Sequence, residues 1–203
     1  MQKLRVFLTF NFSLFTVLLF AQNILIQGHA DTYKGKTISL YSYQDYITNT
    51  PAMVASAKVN DTGYFSISLP NIKDNQYMYL NIENLKGSIY VSPGNTYHII
   101  FPPPDSTNYL NPFVSHTIDL VFLNSDADNI NSMVIDFNEQ WDLFWRRYYT
   151  YFVRKQATAV LDSFRLTMLH RYSDVKNPYF LGYVNYTIAE IEINILVGQI
   201  KVR

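Results

Sequence analysis

The spacing of hydrophobic residues changes near position 124, and this change constrains the fold more than any other feature of the chain. From Asn23 to Phe101 apolar residues recur at every second position, which is the period of a strand with one buried face. After Asn124 they recur every three to four positions, which is typical of amphipathic helices. We therefore predict an α+β protein, with an N-terminal antiparallel β-sandwich followed by an α-helical segment.

The sandwich is predicted to contain about seven strands, each bounded by Gly, Pro, Asn or Asp. In Tyr64–Leu69, for example, Phe65, Ile67 and Leu69 share one face and follow the turn Asn60-Asp61-Thr62-Gly63. At the three consecutive prolines 102–104 the sheet should end or change direction, because proline has no amide hydrogen to donate. The other predicted strands are Ile24–His29, Ile38–Tyr43, Met53–Val59, Tyr77–Ile82, Ile89–Val91 and Tyr97–Phe101.

About three helices are predicted in the C-terminal part. The first runs from Ile130 to about Phe152, with Asp126 or Asp128 as its N-cap. The second covers about residues 157–172, and the third starts at Asn177-Pro178. In the third helix one apolar face should be formed by Phe180, Val184, Thr187, Ile188, Ile191 and Ile195.

Residues 1–21 are typical of a signal peptide. Lys3 and Arg5 precede a largely apolar stretch, and Ala21 is a suitable residue before cleavage at Gln22. An uncleaved anchor is the alternative, since Leu19 is larger than usual at its position. The predicted organisation is then a signal peptide at 1–21, a β-sandwich at 22–104, a connection with a possible extra strand at 105–124, and a helical segment at 125–203.

Composition excludes several classes of function. The chain has no cysteine, which excludes disulfides, thiolate nucleophiles, cysteine-ligated zinc and a lipid anchor on a lipobox cysteine. Without residues 1–21 it carries 14 basic and 16 acidic side chains, a net charge of −2. Nucleic acid is therefore not an expected partner, because it requires a basic face. We expect an exported protein, periplasmic or at the cell surface, with no stable membrane span after cleavage.

No catalytic, cofactor-binding or metal-ligating residues are predicted. The histidines His29, His98, His116 and His170 lack the spacing of a metal site, and we expect hydrogen-bonded structural roles for His29 and His98. The glycines form no nucleophile elbow and no phosphate-binding loop.

Two acidic patterns invite a functional interpretation, and we favour a structural one for each. Asn124–Asn129 begins like a calcium loop, but Asn129 replaces the glycine and Ile135 replaces the bidentate glutamate. We interpret its acids as caps, and leave weak ion binding open. Glu190 and Glu192 are two residues apart on a helix, so they cannot act as a paired acid and base.

Two aromatic patterns are also candidates for binding. The run from Trp141 to Lys155 could bind a membrane surface, but its polar face carries acids, and we favour a packed core helix. Exposed tyrosines on a sandwich could stack on sugar rings. The candidates are Tyr33, Tyr41, Tyr43, Tyr46, Tyr77, Tyr79, Tyr90 and Tyr97.

Residues 22–104 resemble the N-terminal domain of Bacteroidota-type exported thioredoxin-like proteins, which are thiol–disulfide interchange proteins. The resemblance is carried by Ile26-x-Gly28, by Lys-Thr-Ile-Ser-Leu-Tyr at 36–41, by Asp61-x-Gly63-x-Phe65 and by Val91-x-Pro93-Gly94. The helices that follow, including Asn-Pro-Tyr-Phe at 177–180, are similar to those of such proteins. In that family a C-terminal domain with a cysteine pair performs the redox chemistry, and this chain has no such pair.

The resemblance therefore implies an accessory region and no oxidoreductase activity. Our first hypothesis is a non-catalytic module that positions a downstream domain or docks a protein partner, with no cofactor. The second is a carbohydrate- or peptide-binding module at the cell surface, which coplanar tyrosines on one exposed sheet face would favour. The third is the N-terminal fragment of a thiol–disulfide oxidoreductase. The oligomeric state is left open.

Overall fold

The computed structural model describes residues 23–45, 47–70, 72–103, 116–123, 129–154 and 156–200, with side chains up to residue 193. The predicted signal peptide lies outside the described residues. The chain divides between Leu123 and Asn124 into two compact units, and this boundary coincides with the change of hydrophobic spacing. The N-terminal unit is built of strands and the C-terminal unit of helices, so the protein is α+β.

Within the described residues, the N-terminal unit has nine strands in two sheets. The four-stranded sheet has the order β4-β1-β7-β9, and the five-stranded sheet has the order β3-β2-β5-β6-β8. A short 3₁₀ turn covers Asp31–Tyr33. The strands are β1 (Ile24–His29), β2 (Thr37–Asp45), β3 (Thr50–Lys58), β4 (Tyr64–Leu69), β5 (Gln76–Ile82), β6 (Leu85–Val91), β7 (Thr96–Ile100), β8 (His116–Ile118) and β9 (Val121–Phe122).

The sheets are mixed, which corrects the prediction of a purely antiparallel sandwich. β1 runs parallel to β7, with Ile26 beside Tyr97, and β6 runs parallel to β8, with Leu85 beside His116. All other pairs are antiparallel. Alternation of apolar residues reveals that a segment is a strand, but it does not depend on the direction of the neighbouring strand, so the sequence pattern could not reveal these two pairs.

One hydrophobic core lies between the two sheets. β1 contributes Ile24 and Ile26 from the four-stranded sheet, and Leu40 and Leu80 come from the five-stranded sheet; all four are fully buried. The motif glycine Gly28 lies beside Ile99 of the parallel strand β7. A Cβ atom there would lie 1.7 Å from the carbonyl oxygen of Ile99, so this position excludes every other residue type.

The turns that the sequence indicated have the expected backbone. Gly63 has φ +82° and Gly94 has φ +68°, which are left-handed conformations that favour glycine. The side-chain oxygen of Asn60 accepts hydrogen bonds from the amides of Thr62 and Tyr64, which closes the turn between β3 and β4.

The C-terminal unit contains the helices α1 (Ile130–Val153), α2 (Thr158–Arg171) and α3 (Pro178–Ile200). The N-cap of α1 is Asn129, whose side chain accepts from the amide of Asn131. This corrects the prediction that Asp126 or Asp128 would cap the helix; both lie outside the described residues. Across the described helices, none combines the length and apolar character that crossing a membrane requires.

Candidate functional site

The four histidines lie on four different elements, β1, β7, β8 and α2. His98 is within hydrogen-bonding distance of Gln27, at 3.2 Å between Nδ1 and Nε2, and His29 lies 3.6 Å from Asp31. His116 is half-buried on β8 and His170 is exposed on α2. In the part of the chain that the structure describes, no group of three or more His, Asp or Glu residues is placed to hold a metal ion.

The acidic candidates are also separate. The acids of the calcium-like loop at 124–128 lie outside the described residues, and its last residue, Asn129, caps α1. Glu192 pairs with Arg165 of α2 at 2.5 Å, whereas Glu190 is exposed. The two glutamates therefore do not form a joint site.

Part of the aromatic run on α1 belongs to the core of the helical unit, because Phe144 is buried whereas Tyr149 and Tyr151 are exposed. Phe144 stacks on Phe164 of α2 with ring centroids 4.3 Å apart, and Phe137, which precedes the run, contacts Tyr183 of α3 edge-on at 5.8 Å. Arg146 and Arg147 are exposed. These contacts favour the interpretation as a packed helix; Lys155 lies outside the described residues.

Five of the eight candidate tyrosines come together on the outer face of the five-stranded sheet. We call Tyr41, Tyr43, Tyr77, Tyr79 and Tyr90 the tyrosine cluster. Tyr33 and Tyr97 instead belong to the core: the Tyr33 hydroxyl donates to the carbonyl of Pro102, and the Tyr97 hydroxyl accepts from the amide of Ser92. Tyr46 lies outside the described residues.

Strand register creates the cluster. In β5, Met78 and Leu80 point into the core, so Tyr77 and Tyr79 point to the opposite face. The antiparallel register then aligns two rows across the sheet. One row contains Met53, Tyr41, Tyr79 and Ser88, and the other contains Pro51, Tyr43, Tyr77 and Tyr90.

The rings stack on one another. Tyr41 and Tyr79 are 9° from parallel with centroids 5.3 Å apart, and Tyr43 and Tyr77 are 3° from parallel at 6.1 Å. Tyr90 closes the second row edge-on against Tyr77 at 5.4 Å. Such centroid distances are too short for rings lying side by side in one plane. The stacked rings therefore cover part of each other's faces.

Burial decreases from the centre of the tyrosine cluster to its edge. Tyr79 is only 5% exposed, whereas the other four tyrosines are partly exposed. Burial raises the pKa of Tyr79, and the neighbouring phenols Tyr43, Tyr41 and Tyr77 raise it further. The Tyr79 hydroxyl therefore stays protonated at neutral pH, and it can donate as well as accept a hydrogen bond.

A cation and an apolar side chain border the cluster. The Lys86 ammonium lies 5.1 Å from the Tyr79 ring centroid, within the range of a cation–π contact. On the other side, Met53 of the edge strand β3 is 62% exposed. The surface thus combines aromatic edges, hydroxyls, one positive charge and a flexible apolar side chain.

The partly exposed tyrosines present groups that can form hydrogen bonds and aromatic contacts. Phenols with raised pKa values are poor nucleophiles and poor bases at neutral pH. A flat sugar platform requires ring faces that are open to solvent, and stacking reduces that area here. What remains exposed is a patch of aromatic edges and hydroxyl groups.

No known protein-family model matches this chain, and no curated protein sequence matches it. The resemblance to the N-terminal domain of exported thioredoxin-like proteins therefore stays a hypothesis based on the motifs quoted above.

Proposed function

We propose that this chain is an exported, non-catalytic accessory module whose tyrosine cluster binds a protein partner or a further domain of the same protein. The observation that supports this proposal is the assembly of four partly exposed tyrosines around the buried Tyr79, beside the exposed Met53. Tyrosine and methionine are enriched in protein interfaces, and buried tyrosines often dominate their binding energy.

The cluster has the layout of such an interface. Its centre is rigid, because Tyr79 is held between Tyr41 and Tyr43, so little side-chain entropy is lost on binding. Tyr77 shares a hydrogen bond of 2.9 Å with Ser88, which fixes the second row as well. A preorganised aromatic surface with polar edges is the arrangement that protein partners recognise with high specificity.

The same surface would serve the alternative in which this chain is the N-terminal fragment of a thiol–disulfide oxidoreductase. The partner would then be the redox domain itself. The carbohydrate-binding alternative is weaker, because the tyrosines are stacked and not coplanar, so fewer ring faces are available to sugars.

The test is partner capture with matched variants. Met53→Asp places a charge at the border of the tyrosine cluster, and Met53 is exposed enough for the fold to tolerate this change. Val121→Asp, on β9 of the other sheet, is the control, because Val121 is 48% exposed. Immobilised wild-type and variant chains would be incubated with periplasmic and surface extracts of the source organism, and bound proteins quantified by mass spectrometry.

We expect at least one protein to bind the wild type and the control but to be lost, about 30-fold or more, with Met53→Asp or Tyr90→Ser. Such a loss corresponds to about 2 kcal/mol, the cost of removing an interface hot spot. Equal recovery with all variants would contradict the proposal. Binding to a glycan array that Tyr90→Ser abolishes would favour the carbohydrate alternative.

A further inference from the structure

The helix α3 is apolar on two sides, and only one of them is buried. Phe180, Val184 and Ile188 are 0%, 4% and 1% exposed and form its contact with the helical unit. On another side Tyr186 is 80% exposed and Ile193 is 60% exposed. An amphipathic helix needs only one apolar side, so the second side requires its own explanation.

This second side, on which Tyr186 and Ile193 are exposed and the other residues are half-buried, has the spacing of a coiled-coil seam. Tyr179, Gly182, Tyr186, Ala189 and Ile193 follow one another in steps of three and four residues. At 100° per residue they fall within an arc of about 80°. This is the a/d pattern through which two helices pack knobs into holes. We call these five residues the second stripe.

We propose that the second stripe pairs with the second stripe of another copy of this chain, with the two α3 helices antiparallel. The contact would be a two-fold symmetric interface in which the same surface is used twice.

The sizes of the side chains carry the first argument for a second copy. Large and small residues alternate along the stripe, and at Gly182 an added Cβ would meet no atom within 4 Å, which leaves an open hole. In an antiparallel pair each a residue lies opposite a d residue. A register centred between Thr187 and Ile188 then places Tyr186 opposite Ala189 of the second copy, and Ile193 opposite Gly182 of the second copy.

Each layer of this pairing joins one large and one small side chain. The stripe therefore contains both the knobs and the holes that it needs, which is the condition for self-association. A parallel pair would place tyrosine on tyrosine and glycine on glycine, so crowded layers would alternate with empty ones.

Charge carries the second argument. The stripe is bordered by Glu190 on one side and Glu192 on the other. In an antiparallel pair, each flank of the stripe faces the same flank of the second copy. Glu190 therefore approaches Tyr183 of the second copy, and Glu192 approaches Asn185 of the second copy. The carboxylates therefore do not face each other, and Glu192 keeps its ion pair with Arg165 of α2. An acidic partner helix, by comparison, would be repelled by Glu190.

The contact should be weak. The paired segment from Gly182 to Ile193 is about 18 Å long at the rise of an α-helix. A helical segment of this length is too short to bury the roughly 800 Å² per partner of a stable interface. We expect a dissociation constant on the order of 10–100 µM, near the weak end for specific complexes.

The first experiment measures the mass of the full chain by sedimentation equilibrium over a concentration range from about 1 µM to 1 mM, which brackets that constant. We expect a monomer–dimer equilibrium. Tyr186→Glu and Ile193→Asp should each weaken the dimer at least tenfold. Leu166→Glu is the control, since Leu166 is 68% exposed on α2 and lies outside the stripe. Circular dichroism verifies that each variant is folded.

A second variant separates folding from association and fixes the direction of the helices. Gly182→Leu raises helix propensity, so it should not destabilise the monomer. It fills the hole that receives Ile193 of the second copy, so an antiparallel dimer should weaken. A parallel dimer would instead gain a favourable leucine layer.

Spin labels give an independent measure of direction, because a chain without cysteine can be labelled at one introduced site. Labels at Lys176→Cys should be more than about 30 Å apart in the antiparallel dimer, given the helical rise, and less than about 20 Å apart in a parallel one. A monomer at all concentrations, a dimer insensitive to Tyr186→Glu, equal loss with Leu166→Glu, or a dimer strengthened by Gly182→Leu would overturn the proposal.

Discussion

Asp136 joins the first two helices, and Asp136→Asn should destabilise the helical unit. Both carboxylate oxygens accept from Arg171 at the end of α2, from Nη2 at 2.6 Å and from Nε at 2.8 Å. The hydroxyl of the neighbouring Tyr172 also donates to Asp136, at 2.8 Å. The substitution keeps the shape of the side chain but removes its charge, so it tests the electrostatic part of this link.

The size of the effect follows from the geometry. A bidentate arginine–carboxylate pair with a further hydrogen bond would contribute about 2–3 kcal/mol if it were buried. The side chains of Asp136 and Arg171 are 35% and 45% exposed, so water screens the pair. We therefore expect a loss of about 1–2 kcal/mol for Asp136→Asn. For a unit of this size that corresponds to a fall in Tm of roughly 4–15 °C.

The effect should depend on pH with a definite sign. The hydrogen bonds from Arg171 lower the pKa of Asp136, burial opposes them, and the Tyr172 hydroxyl adds to the lowering. Because the folded-state pKa lies below the unfolded value of about 3.9, the stabilisation is complete above that pH. It is lost as the pH falls through the folded-state pKa. Wild type and Asp136→Asn should therefore converge in strong acid.

Tryptophan fluorescence during urea unfolding is the assay. The two tryptophans of the chain, Trp141 and Trp145, both lie on α1 and therefore report on the helical unit. Asp142→Asn is the matched control, because Asp142 is an exposed aspartate of the same helix. If Asp136→Asn shifts the transition no further than Asp142→Asn at neutral pH, the link does not stabilise the unit as argued.

Three further predictions concern single positions. Gly28→Ala should destabilise the β unit by about 3 kcal/mol or more, measured by far-ultraviolet circular dichroism, because its Cβ would collide with the Ile99 carbonyl; a loss below about 1 kcal/mol would contradict this close contact. Glu83 has φ +54° in the turn between β5 and β6, a left-handed conformation that asparagine adopts more easily than alanine. In urea unfolding Glu83→Asn should therefore be about 0.5–1 kcal/mol more stable than Glu83→Ala. Equal stabilities of the two variants would contradict a left-handed backbone at this position. Burial raises the pKa of Tyr172, and the hydrogen bond with Asp136 raises it further. The stability of the helical unit should therefore fall above about pH 10 by up to about 1.4 kcal/mol per pH unit. Tyr172→Phe should flatten this decline in the fluorescence assay, and an unchanged slope would exclude Tyr172 as its source.

The elements could be predicted where a local period defines them. The predicted strand at Tyr64–Leu69 matches β4, and the helix predicted over about 157–172 matches α2 to within about one residue. The apolar face predicted for α3 includes three residues that the structure buries, Phe180, Val184 and Ile188. Each of these depends on the alternation of side chains along one segment, which the sequence contains in full.

The second stripe of α3 was not predicted, because that helix is apolar almost all round. Phe180, Val184 and Ile188 define one apolar side, and Tyr186 with Ile193 adds another, so no clear polar face remains in the pattern. Which apolar side is covered depends on the packing of α1 and α2, and only the exposed fractions of the side chains reveal it.

The sequence by itself determined that strands precede helices and where glycine is required in the turns, because each is a property of neighbouring residues. Only the tertiary structure decided that β1 lies parallel to β7, and that tyrosines from three different strands form one cluster. Tyr41 and Tyr79 are far apart in the chain, and their contact depends on strand order and register. Strand order and register are set by the burial of the whole core and not by any one segment.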